Sequence, residues 1–153
     1  MYIPSADQRL NVTRVFIASL IGALCAAPAI VQAQSGKWVA TLSQLGNAGG
    51  AADVTIDVRN DKQSRAKITF RNTKRDMRLA WDIVVGNCRD EGAPIAPQAA
   101  FTQVQTQMDG GGTASASVPK LETGKAYYVR VYDPQTAPTD ASAFGCGNLS
   151  EKP

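Results

Sequence analysis

The chain has 153 residues, of which 44% are hydrophobic, with 16 basic against 13 acidic side chains and a formal net charge of +3. Length and apolar content suit one globular domain, and the lack of internal repeats excludes a solenoid. There is no histidine, which excludes the usual switchable base and the usual ligand of redox copper and zinc.

Residues 1–33 differ in kind from the rest. Arg9 and Arg14 flank a polar start, Val15 to Ala27 is almost uninterrupted apolar, Pro28 breaks any helix, and Val31, Gln32 and Ala33 offer small residues at a cleavage point. This pattern predicts a secretory signal peptide cleaved after Ala33, and hence a periplasmic or secreted protein. The alternative is an uncleaved anchor over Val15 to Val31, short for a bilayer and interrupted by Pro28. Cys25 follows Leu24 rather than a small residue, which argues against lipidation. Cleavage leaves Cys88 and Cys146 as the only cysteines of a chain delivered to an oxidising compartment, so one disulfide is expected, the alternative being two buried thiols.

From residue 34 the chain reads as short strands separated by turns. Lys37 to Leu42 turns Trp38, Ala40 and Leu42 inward, and Gly46 to Gly50 supplies a flexible turn. Asp53 to Arg59 alternates Val54, Ile56 and Val58 with polar residues. Asn60, Asp61 and Lys62 turn the chain, and Ala66 to Arg71 repeats the alternation with Ala66, Ile68 and Phe70 inside, so these two strands should pair antiparallel. Trp81, Ile83 and Val85 form the apolar face of the next strand, opposite Ala80, Asp82 and Val84. Arg89 to Gln98, with Gly92, Pro94 and Pro97, is a long loop for the disulfide to tether. Phe101 to Met108 is a weaker strand candidate, polar on both faces. Asp109 to Gly112 is a turn, Thr113 to Val118 a small-residue strand, and Ala126 to Tyr132 a strong strand with Tyr127, Val129 and Val131 on one side and Tyr128, Arg130 and Tyr132 on the other. Pro134 to Ser142 reads as loop, and Ala143 to Leu149 closes the domain. Seven or eight such strands with no amphipathic helix imply an all-β antiparallel sandwich or flattened Greek-key barrel over residues 34–153.

The stretch Trp81-Asp82-Ile83-Val84-Val85-Gly86-Asn87-Cys88 resembles the Trp-His-x-His-x-Gly-x-Cys strand of the superoxide-dismutase-like β-barrel proteins of the bacterial envelope. Asp109-Gly110, the strand Tyr127 to Tyr132 and Cys146-Gly147-Asn148-Leu149 resemble further markers of that family in the same order. The resemblance implies the same barrel and a disulfide between Cys88 and Cys146. It also puts Asp82, Val84 and Tyr132 where copper-binding histidines would stand, with no arginine among Ala141 to Gly145 before the second cysteine. Dismutase chemistry of the family type is therefore excluded, and neither metal nor other cofactor is expected.

In place of the metal, a polar network is expected: Asp82 facing Tyr132 across neighbouring strands, with Arg130 two residues away on the same face, tied by a charge-assisted contact of Asp82 with Arg130 or a hydrogen bond from Tyr132 to Asp82. The alternative is an Asp82 that simply faces solvent. Tyr128 and Tyr132 with Arg130 would make an exposed aromatic and basic stripe of the kind binding surfaces favour, unless the long loops fold over it. A basic run from Arg59 through Lys62, Arg65, Lys67, Arg71, Lys74 and Arg75 to Arg78 offers either a polyanion site or a solvated strand face. Asp53 and Asp57, or Asp90 and Glu91, lack calcium-loop spacing. No serine sits in a nucleophile motif, and Gly110-Gly111-Gly112 lacks the lysine of a phosphate loop. The sequence thus points to an exported non-catalytic β domain acting as a binding or structural module of the cell envelope, its partner an envelope protein or glycan and not nucleic acid. An enzyme using Asp82 as base beside Arg130, or a polyanion binder through Arg65 to Arg78, is the alternative.

Overall fold

The computed structural model describes residues 36–152, so the leader reading, Cys25 included, lies outside the described residues. Two antiparallel sheets form a β-sandwich. The first carries β1 (Lys37–Leu42), β2 (Ala51–Val58), β3 (Gln63–Arg71), β6 (Gly112–Pro119) and β9 (Ser150–Lys152) in the order β6-β3-β2-β1-β9. The second carries β4 (Arg78–Val85), β5 (Val104–Gln105), β7 (Tyr127–Tyr132) and β8 (Ala143–Asn148) in the order β5-β4-β7-β8.

Period-two alternation builds the core, because alternate side chains of a strand share a face. Trp38, Ala40 and Leu42 of β1, Val54 and Ile56 of β2, and Ala66, Ile68 and Phe70 of β3 meet Leu79, Trp81 and Ile83 of β4 and Tyr127, Val129 and Val131 of β7. The β2–β3 hairpin pairs Val58 with Ser64 and Ala51 with Arg71 around an Asn60 whose Oδ1 accepts from the amides of Lys62 and Gln63 at 2.9 and 2.8 Å. The aromatic residues lock edge to face, Trp38 on Tyr127 at 5.6 Å and Trp81 on Phe101 at 5.0 Å between ring centroids.

Three sequence expectations are corrected. Phe101 to Met108 is not a continuous strand: only Val104–Gln105 pairs with β4, after a 3-10 turn at Gln98–Ala100. Phe101 is drawn down onto Trp81, and beyond the two paired residues the Thr106 hydroxyl accepts from the amide of Met77 and donates to the carbonyl of Lys74. Val85 does not join the core but is 43% exposed, because β4 leaves the sandwich there and turns at Gly86, whose φ of 111° disfavours any side chain. Val58, at the corresponding end of β2, is half-buried for the same reason. The closing segment forms two strands, with Leu149 buried at the crossing from β8 in the second sheet to β9 in the first.

A disulfide joins Cys88 and Cys146 with a Cα–Cα separation of 5.7 Å. It fastens the segment after β4 to β8, and the amide of Cys88 adds a 2.7 Å hydrogen bond to Asn148 Oδ1.

Candidate functional site

The outer face of the second sheet carries the polar cluster. β4 and β7 pair with Trp81 opposite Val131 and Ile83 opposite Val129, a register that aligns their core side chains. The same register sets Ala80 opposite Tyr132, Asp82 opposite Arg130 and Val84 opposite Tyr128. Asp82 therefore faces Arg130 rather than Tyr132, and the expected Asp82–Tyr132 pairing is replaced by a diagonal relationship. Matching of large apolar residues on the inner face decides which polar residues meet outside.

Asp82 and Arg130 form a bidentate pair. Arg130 donates from Nε to Asp82 Oδ1 at 3.1 Å and from NH2 to Oδ2 at 2.7 Å, while NH1 reaches Asp140 Oδ1 at 3.0 Å. Both members are sealed from solvent, Asp82 at 1% and Arg130 at 2% exposure. The Tyr128 hydroxyl donates to the same Asp140 oxygen at 2.8 Å and lies 3.2 Å from the carbonyl oxygen of Asp90. Tyr132 turns its hydroxyl to Gln98 Oε1, and its ring centroid lies 5.9 Å from the Arg130 guanidinium carbon. Asp140 Oδ2 is buried without a hydrogen-bond partner among the described residues.

Two loops make this burial possible. Between β4 and the 3-10 turn the chain folds back along β4, with the amide of Val85 bonded to Ala93 and that of Ile95 to Ile83, bringing Gly92 over Val84. The loop between β7 and β8 delivers Asp140, whose amide donates to Glu91 Oε1 of the first loop at 3.1 Å. Tyr128 and Tyr132, at 0% and 2% exposure, are thus covered. Of the two expectations for this face, the buried one holds: the stripe is a second buried layer, because the loops on both sides of the sheet close over it.

Electrostatics follow from this burial. Desolvation opposes charge on Arg130, but the hydrogen bonds and charge of Asp82, then the bond to Asp140, outweigh it and hold the guanidinium above its ordinary value. Burial pushes the Asp82 carboxyl up from 3.8, with Arg130 pulling against it. Burial also pushes the Tyr128 and Tyr132 hydroxyls up to about 12, helped by the carboxylate of Asp140 at the first and of Asp82 at the second.

This geometry suits a structural tie and not proton transfer. Both Asp82 oxygens are occupied by Arg130 and the side chain is only 1% exposed, so a base reading of Asp82 loses the concave, accessible setting it requires. Copper or zinc does not fit the residues present either: Asp82 is engaged, Val84 offers no donor, and Tyr132 points to Gln98. Among the described residues no three Cys, Asp or Glu side chains converge on a common point.

Asp140 and Gln98 were not singled out by sequence reading, and Glu91 was weighed only as a calcium ligand, because each lies outside the strands with no period to mark it. One signal was present for the first. A guanidinium carries five donors and Asp82 occupies two of them, so a buried Arg130 requires a second acceptor from the loop that covers it.

The basic run is not one surface. Arg71 is tied to Asp53 at 2.5 Å, Arg78 lines a cleft of about 570 Å³ with Asp76 and Asp133, and Arg59, Arg65 and Lys67 line a separate cleft on the outer face of the first sheet. Among the described residues no helix is long and apolar enough to cross a membrane. No protein family, curated protein or solved structure matches the chain.

Proposed function

We propose that the protein is an exported, metal-free relative of the superoxide-dismutase-like barrels, acting as a non-catalytic binding or structural module of the cell envelope. On this reading the two sheets are the flattened Greek-key barrel of that family. The leader 1–33 directs the chain to the periplasm or beyond, and the partner is an envelope protein or glycan. The observation that carries the reading is the buried Asp82–Arg130–Asp140 network. It occupies the face where the resemblance puts a copper site, in a chain with no histidine. There it joins two strands and the β7–β8 loop, as a metal bound to several ligands would. A guanidinium between two carboxylates supplies the same cross-linking with hydrogen bonds.

Native mass spectrometry of the protein purified from the periplasm without chelator tests this directly. The expected species is the chain cut after Ala33, two hydrogens lighter than the dithiol form and free of metal. A stoichiometric metal adduct would overturn the metal-free reading, and an intact leader would overturn cleavage.

A further inference from the structure

We propose that the cleft on the outer face of the first sheet is a binding site for a tetrahedral oxyanion, a sulfate or phosphate group, recognised by Arg59, Arg65, Lys67, Thr113 and Ser115. This inference is independent of the function proposed above. Asp57, Arg59, Arg65, Lys67, Thr113 and Ser115 line a cleft of about 430 Å³. The sheet itself creates the array. Arg65 and Lys67 are two residues apart on β3 and so point the same way, about 7 Å apart, while β6 lies about 5 Å to the side and presents Thr113 and Ser115 at the same pitch. The register places Ser115 directly beside Lys67 and Thr113 one pair further along, beside Thr69. Arg59 enters from the β2–β3 hairpin, at the end of the strand that sets Asp57 opposite Arg65.

The cations here are unspent. Arg71 is paired with Asp53, Lys125 with Glu122 and Arg130 with Asp82 and Asp140. Among the described residues, no hydrogen bond or ion pair engages the side chains of Arg59, Arg65, Lys67, Thr113 or Ser115. Three cations and one carboxylate leave the cleft net positive, and two hydroxyls beside them add neutral donors. Five donor groups on one concavity exceed what a carboxylate's two oxygens can accept and suit an ion with four oxygens. Arg65, held opposite Asp57, presents a planar fork, whereas Lys67 acts as a point charge.

The purified protein, labelled with nitrogen-15, would be titrated at low ionic strength with sodium sulfate, potassium phosphate and a sulfated disaccharide in turn. The expected result is saturable shifts at the amides around Arg65, Lys67, Thr113 and Ser115. Arg65→Gln and Lys67→Gln should each weaken binding about tenfold, in line with the loss of a hydrogen bond to a charged group. Arg78→Gln, in the other half of the basic run, should leave binding unchanged. All three side chains are exposed, and an unchanged thermal midpoint in each variant shows that the fold is kept. Equal affinity for free sulfate and the disaccharide identifies a free-ion site. Tighter binding of the disaccharide with the same dependence on Lys67 identifies a sugar ester. Unsaturable shifts over every basic side chain, an equal loss in Arg78→Gln, or equally tight binding of a polyglutamate peptide through the same residues would overturn the proposal.

Discussion

Arg130 stands directly across from Asp82 in the register of β4 and β7 and donates to both of its carboxylate oxygens, at 3.1 and 2.7 Å, with neither residue more than 2% exposed. The charge state of each depends on the other. The pair ties the strands of one sheet together, and Asp140 extends the tie to the loop above them.

Removing one partner should be costly. Asp82→Asn leaves a buried guanidinium with a single carboxylate, and a loss of about 3 kcal/mol is expected in urea unfolding. Replacing both members, Asp82→Leu with Arg130→Met, should cost less than the sum of the single changes, because no uncompensated charge stays buried. Additive single effects in that cycle would show that the pair is not coupled.

The disulfide spans 58 residues in sequence. Cys88→Ser with Cys146→Ser should lower stability by about 4 kcal/mol in the chain-entropy account. Because the bond fastens the covering loop to β8, the amides of residues 86–98 should lose hydrogen-exchange protection before those of β2 and β3. Uniform loss across both sheets would place the bond's effect in global stability alone.

Alkaline pH should destabilise the fold through Tyr128 and Tyr132. Their hydroxyls ionise near 10.0 when unfolded but are pushed up to about 12 in the native protein by burial. Between these values the unfolded chain has released protons that the folded one retains, so stability is whole below pH 10 and falls as pH rises toward 12. Denaturant midpoints across that range, with tyrosinate absorbance as the reporter, check the sign. A flat profile would mean the covering loops admit solvent to both rings.

Gly92 tests the cover itself. A Cβ at this position would collide with the backbone carbonyl of Val85 and press on the Val84 side chain. Gly92→Ala should therefore lift the loop, destabilise the protein by about 1–3 kcal/mol and raise the accessibility of Tyr128 to quenchers. Gly124→Ala, where φ is +83° but nothing lies within 4 Å, separates backbone strain from steric collision.

Alternation made most of the sandwich legible. Val54 with Ile56, Ala66 with Ile68 and Phe70, and Tyr127 with Val129 and Val131 each assign one face to the core, and the structure puts them there. Cys88 and Cys146, the two cysteines of the described residues, are joined as expected. What escaped depends on relationships between segments. A contact of Asp82 with Arg130 was legible from their shared face, but not that the two stand directly opposite: that is set by how Trp81 and Ile83 line up against Val131 and Val129, and a single strand's pattern does not contain that register. Asp140 escaped because a Pro- and Thr-rich loop has no periodicity, and its role exists only once Arg130 is buried. The basic run is split because β3 and β4 belong to different sheets, and Asp53 pairs with Arg71 within the first, relationships equally invisible in the local sequence.

The pairing of β1 with β9 sets Lys37 beside Lys152, so the first and last strands of the sandwich are neighbours. The fold is in this sense a ring with a small gap. A short peptide bridging 152 to 37 would close the ring, and it could be reopened in the exposed turn Glu122 to Lys125, which links β6 in one sheet to β7 in the other. Every strand pair would survive such a circular permutation, leaving the network around Arg130 intact while the order in which its strands are synthesised is reversed.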